Sequence, residues 1–103
     1  MDLEVRWSPE AIEDVEAIAE YIERDSQHYA QAVVSQILSV SHSLSEFPHM
    51  GRNVPEIVDE NVRERFVYSY RLIYRIEPKS ILIVGVIHGK QLLSHVSDRL
   101  EGS

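Results

Sequence analysis

The stretch Val62-Arg63-Glu64-Arg65-Phe66-Val67-Tyr68-Ser69-Tyr70-Arg71-Leu72-Ile73-Tyr74-Arg75-Ile76-Glu77-Pro78-Lys79-Ser80-Ile81-Leu82-Ile83-Val84-Gly85-Val86-Ile87 decides the fold. It is rich in β-branched and aromatic residues, and its first two segments carry them with a period of two, the spacing that puts side chains on one face of a strand. Three strands are predicted, over residues 62–68, 70–76 and 80–87. Ser69 marks a tight corner between the first two, and Glu77-Pro78-Lys79 is short enough for a hairpin between the second and third. Links of that length join antiparallel neighbours. The third segment is apolar at nearly every position, which predicts a central strand buried on both faces.

Upstream the period changes. Leu3, Val5 and Trp7 alternate with Glu4 and Arg6, the pattern of a half-buried strand. Ser8-Pro9-Glu10 then opens a helix: the Ser8 hydroxyl can accept a free backbone amide, and Pro9 at the first helical position needs no amide partner. Ile12, Val15, Ile18 or Ala19, and Ile22 follow at three- and four-residue steps to about Arg24, opposite a face carrying Glu13, Glu16, Glu20 and Glu23. After Asp25-Ser26-Gln27 a second ladder runs through Val33, Ile37, Val40, Leu44 and Phe47, until Pro48 ends it. A short link between two amphipathic helices predicts an antiparallel helical hairpin. Residues 48–61 have no period and hold Gly51 and Pro55, so they read as a loop, and residues 91–100 leave room for a short final helix. The expected architecture is α+β: an N-terminal strand and a helical hairpin packed on a largely antiparallel four-stranded sheet.

A chain of 103 residues with 44% hydrophobic residues is enough for one domain with one core, expected to span residues 1–103. There are no cysteines, which excludes a disulfide framework, a thiolate metal site and a cysteine nucleophile. The acidic start Met1-Asp2-Leu3-Glu4 and the lack of a long apolar run predict neither a signal peptide nor a membrane helix, hence a cytoplasmic protein. The net charge of -7 is polarised. Residues 1–46 carry ten acidic and two basic side chains, a balance of -8, whereas residues 47–103 carry seven acidic and eight basic, a balance of +1. Proteins that hold nucleic acid through phosphates carry a basic excess, so direct nucleic-acid binding is not expected. His28, His42, His49 and His95 show no metal-ligand spacing, and neither a metal nor a cofactor is expected.

The order of strand, helical hairpin, loop and three antiparallel strands resembles the RelE/ParE toxins. Specific stretches carry the resemblance: Ser8-Pro9-Glu10-Ala11, Phe47-Pro48-His49-Met50-Gly51-Arg52, Val54-Pro55-Glu56, Val62-Arg63-Glu64, Tyr70-Arg71-Leu72-Ile73-Tyr74-Arg75-Ile76, and Val86-Ile87-His88-Gly89-Lys90. The resemblance implies a toxin held inactive by an antitoxin whose extended and helical C-terminal segment wraps across the hairpin and sheet. RelE-like members cut messenger RNA in the ribosome; ParE-like members poison DNA gyrase without an apparent nuclease site. Exposed apolar residues on the helices would favour a dimer, or a heterotetramer with antitoxin.

The nuclease branch uses several Lys and Arg and a Tyr, because RNA cleavage needs cations beside the phosphate and groups that accept and donate protons. Carried over by position, its two strand lysines fall at Val62 and Glu64. Its arginine is kept as Arg71, a further arginine falls at Gln91, and its tyrosine falls near Ser97. Glu64 sets a negative charge where the phosphate would lie. The ParE-like branch is therefore preferred, with an RNA-cleaving site of Arg65, Arg71 and His88, or a non-toxic antitoxin-binding remnant, as alternatives.

Arg63, Arg65, Arg71 and Arg75 occupy odd positions on two neighbouring strands, so each pair shares a face. They form either a cationic contact for antitoxin or target, together with Lys90, or a solvated surface balanced by nearby acids. His88 at the end of a buried strand reads more readily as a strand-end hydrogen-bonding group than as a general base. Tyr68, Tyr70 and Tyr74 follow the core pattern. The acidic hairpin face serves solubility or meets a basic protein surface.

Overall fold

The computed structural model describes residues 2–91 and 94–101. The elements run β1 (Glu4–Trp7), α1 (Pro9–Glu23), α2 (Gln27–Ser43), a 3-10 turn (Pro48–Met50), β2 (Arg52–Asn53), β3 (Val62–Val67), β4 (Tyr70–Ile76), β5 (Ser80–His88) and α3 (Ser94–Glu101). The sheet order is β1-β5-β4-β3-β2. β5 lies next to β1 in parallel, Glu4 opposite Ser80 through Trp7 opposite Ile83, and the other neighbours are antiparallel. The chain between β1 and β5 makes that parallel pairing geometrically available, since parallel strands need a long crossover.

Local chemistry fixes both helix starts. Ser8 accepts the Ala11 amide at 3.1 Å with Pro9 in the first turn, and Ser26 accepts the Tyr29 amide at 3.0 Å. The hairpin then lies on one face of the sheet. Ala11, Ile22, Ala30, Val33, Ile37, Val40 and Leu44 meet Val67, Leu72, Tyr74, Ile81, Ile83 and Val86 there. The other face is also covered. Val62, Ile73, Val84 and Ile87 pack against Val54 and against Val96 and Leu100 of α3. A central β5 is thus buried from both sides, as its apolar run predicts.

Four details depart from the sequence reading. The sheet has a fifth strand: Arg52 pairs with Glu64 and Asn53 with Arg63, inside the segment read as loop, because two residues are too few to show a period. Ile12 is 47% exposed and Ala11, one position earlier, takes the core site. α2 ends at Ser43 rather than at Pro48, leaving Phe47 52% exposed. The reason is a tertiary bond: Leu3 donates to the Ser45 carbonyl at 3.0 Å and the Ser45 hydroxyl to the Leu3 carbonyl at 2.6 Å, so the chain turns early to reach β1. The final helix starts at Ser94; residues 92 and 93 of the range read as helix, and the His95 side chain, lie outside what is described.

The β3–β4 corner is made by Tyr68 and Ser69. Tyr68 has φ 54°, in the left-handed region that favours glycine, and its ring meets Tyr29 edge-on at 5.9 Å between centroids. The Gly89 amide donates to the Ser69 carbonyl at 2.7 Å, tying the end of β5 to this corner.

Candidate functional site

Strand register sorts the four sheet arginines onto two faces, because residues directly opposite in an antiparallel pair point the same way. Arg63 lies opposite Tyr74 and Arg65 opposite Leu72, on the helix-covered face; Arg71 lies opposite Phe66 and Arg75 opposite Val62, on the face covered by α3. His88 lies opposite Tyr70, on the helix side. Arg71 therefore projects away from both Arg65 and His88.

On the α3 side a charge network is built into the sheet. Glu64 is 1% exposed and Arg71 5%. Arg71 Nε donates to Glu64 Oε1 at 2.7 Å, while its two terminal nitrogens clasp Glu56 at 3.0 and 2.8 Å. Arg52 Nε donates to Glu64 Oε2 at 2.6 Å from the neighbouring strand. The Arg52 guanidinium also lies over the Phe66 ring at 5.2 Å. Every nitrogen of Arg71 is thus directed at a carboxylate. Arg75 belongs to the same face and donates to the Leu100 carbonyl at 2.5 Å, anchoring α3.

The Arg71 hydrogen bonds hold the Glu56 carboxyl below its ordinary value of 4.5, against a smaller opposing effect of burial. A lowered folded-state value contributes stability that is present above the unfolded value and lost as pH falls through the folded one. Glu56→Gln is therefore expected to lower the melting temperature near pH 7, with the difference from the parent chain closing as pH drops below 4.5. Because the Glu56 side chain is 45% exposed, solvent screening keeps the effect small. Melting curves of both chains between neutral and acid pH check this.

A second feature lies where β5 outruns β1. Beyond Ile83 the outer edge of β5 has no strand partner among the described residues, and side chains take over. Ser8 Oγ and Arg99 Nη1 donate to the Val84 carbonyl at 3.4 and 3.1 Å, and Asp14 Oδ2 accepts the Val86 amide at 3.0 Å. Asp14 and Arg99 also pair at 2.8 Å, joining α1 to α3. Above this edge lies a groove of about 520 Å³ lined by Asp14, Ala17, Ile18, Tyr21, Tyr70 and His88, among others. Its walls are mostly apolar and aromatic, and Tyr21 is 67% exposed. Burial pushes the Tyr70 hydroxyl pKa up, with smaller contributions from Tyr29 and Tyr21.

His88 stands at the end of this groove. Its Nδ1 accepts the Lys90 amide at 3.2 Å, its own amide donates to Gln91 Oε1 at 2.7 Å, and its ring meets Tyr70 edge-on at 5.6 Å. An occupied Nδ1 leaves Nε2 to carry the proton of the neutral ring. Lys90 itself is exposed. Tyr74 is a core group: fully buried, it accepts the Gly51 amide at 3.0 Å and donates to the Pro48 carbonyl at 2.7 Å, and burial raises its pKa. Among the described residues no cluster of His, Cys, Asp and Glu could hold a metal ion, and no helix is long and apolar enough to cross a membrane.

Sequence reasoning singled out Arg71 and noticed Glu64, but missed Glu56, Asp14, Arg99 and Tyr21. The signal for Asp14 was present: one acid among apolar steps of α1, three residues beyond the buried Ala11.

No curated protein matches the chain. Among solved structures, the chromosomal ParDE toxin–antitoxin system from P. aeruginosa has a chain that superposes with a TM-score of 0.70 at 21% identity, covering 84% of this chain and 95% of that one. The RelBE2 toxin–antitoxin complex from Mycobacterium tuberculosis gives 0.62 at 19% identity, with 85% and 99% covered. A mutant of the E. coli toxin RelE in the free state gives 0.64 at 14% identity, with 98% and 93% covered. At these identities the likeness concerns the fold. The family is fixed by sequence: the model of the ParE toxin of the type II toxin–antitoxin system parDE matches residues 5–93, and the chain belongs to that family.

Proposed function

We propose that this toxin acts in the ParE-like manner, by inhibiting DNA gyrase, and that a cognate antitoxin neutralises it by occupying the groove between α1 and the open edge of β5. The observation that carries this reading is the state of Arg71. It is the one clear match to the RelE-like nuclease set, yet it is 5% exposed and held by Glu64 on one side and Glu56 on the other. A cation so neutralised gives little stabilisation to a phosphate whose charge develops during cleavage.

The antitoxin partner is supported by the neighbours, which include a ParDE system and a RelBE2 complex. The groove offers what a docked segment needs, an apolar floor with a few polar groups at its rim. Of the basic candidates, we assign direct contact with antitoxin or target to Arg63, Arg65 and Lys90. Arg71 and Arg75 act through the frame, the first by its carboxylate pairs and the second by its bond to α3.

The test is induction of the chain in a bacterial host without antitoxin, following growth, DNA-damage response and bulk translation together. Growth arrest with filamentation and a DNA-damage response is the expected result. Immediate translation arrest with cut messages would replace this reading with the nuclease one, in which Arg71 cannot share one site with Arg65 and His88 because it faces the other side of the sheet. Unimpaired growth would leave an antitoxin-binding remnant.

A further inference from the structure

Arg63 and Arg65 differ from the arginines that hold ion pairs. Arg52, Arg71 and Arg99 each meet a carboxylate at 2.6 to 2.8 Å. Arg63 meets only backbone carbonyls, Gly51 at 2.8 Å and His49 at 3.5 Å, and its buried Nε has no hydrogen-bond partner among the described residues. Arg65 has neither a hydrogen bond nor an ion pair from its side chain there, and its Nη1 is buried. The chain is not short of acids: it holds 17 acidic side chains against ten basic ones. Two arginines two residues apart on one strand face, with buried donors unmet in so acidic a protein, are a liability for folding alone.

We propose that Arg63 and Arg65 form a site for a side-chain carboxylate of a protein partner, entered between β3 and the loop that follows α2. This rests on the reading that the chain works by holding a protein partner. Both side chains lie on the helix-covered face, two residues apart on one strand, so a carboxylate arriving at that face meets two neighbouring cations. The same loop offers an apolar contact beside the charge: Phe47 is 52% and Met50 57% exposed, while Arg63 is bonded to the loop at Gly51. A peptide with alternating acidic and aliphatic side chains fits that pairing. A nucleic acid does not, because binding a phosphate backbone takes a run of cations, whereas this chain carries a net charge of -7. The site is on the opposite face of the sheet from Arg71, so it is separate from the position that the nuclease branch uses.

The probe is a capped hexapeptide of alternating glutamate and leucine, titrated into the ¹⁵N-labelled full chain while the arginine Nε resonances are followed. The Arg63 and Arg65 signals are expected to shift and saturate, with affinity weakened about tenfold or more in Arg65→Gln. In the absence of peptide, Arg65→Met is expected to raise the melting temperature by about 4 °C, since it removes an unmet buried donor and keeps the apolar stem. A structural arginine would give the opposite sign. Absence of a saturable shift, equal or tighter binding of an oligothymidine of the same charge, or a lower melting temperature for Arg65→Met would each overturn the site. Growth arrest on induction reads the toxin function separately. If Arg65→Gln is as toxic as the parent and is relieved equally by antitoxin while the peptide fails to bind, the carboxylate site falls and the toxin stands.

Discussion

Glu64→Ala is expected to destabilise the protein by about 3–5 kcal/mol, because it removes the one fully buried counter-charge of Arg71 and leaves a guanidinium 5% exposed beside a void. For a domain of this size the melting temperature falls by on the order of 15 °C. Glu56 cannot compensate, since it already holds the two terminal nitrogens and lies at the surface with its side chain 45% exposed. The double change Glu64→Leu with Arg71→Met separates charge from packing. It removes both buried ions and fills the space with apolar side chains, while Glu56 and Arg52 return to water, and it is expected to recover most of the lost stability. Thermal melts of the single and double variants measure this directly. If the single variant melts within a few degrees of the parent chain, then Arg71 is not held by Glu64 in solution, and the main support for the ParE-like reading goes with it.

How a sequence reader meets Glu64 shows what was legible and what was not. Its period-two position beside Val62 and Phe66 places it on a defined face of β3, and register puts that face under α3. The sequence reading saw a negative charge at a position where a nuclease carries a lysine. It read that charge against an absent substrate, whereas the structure sets it 2.6 to 2.7 Å from Arg71. Periodicity tells which residues share a face. It does not tell that both faces are covered, nor that charges diagonal across β3 and β4 will meet.

The frame was more legible than the sites for the same reason. The strands β3, β4 and β5 and both long helices follow from local spacing, and Ser8 and Ser26 cap where hydroxyls before apolar ladders should. The misses come from long-range bonds. Leu3 to Ser45 shortens α2, and Arg52 with Asn53 becomes a strand only because β3 offers an edge. Arg71 stood out through resemblance alone, and its neutralisation needed three separate segments, the loop at Glu56, β3 and β4.

Asp14 joins three such segments, and Asp14→Ala is expected to cost about 2–4 kcal/mol. Part of that is the Val86 amide, which is buried and loses its acceptor; part is the pairing with Arg99, which links α1 to α3. The ion pair contributes the smaller share, since both side chains retain some exposure, 18% and 24%. Asp14→Asn tests that division: the amide oxygen can still accept from Val86, but the charge opposite Arg99 is gone, so a loss under half that of the alanine variant is expected. Hydrogen exchange locates the effect. In Asp14→Ala the amides of Val86 and of α3 should exchange faster, while those of β3 and β4 keep their protection apart from the global loss. Uniform acceleration across the sheet would mean that Asp14 supports the whole fold rather than its open edge. Selective acceleration would identify the outer margin of β5 as a strand edge kept closed by side chains, and hence as the part of the groove that can open to a partner at the smallest cost.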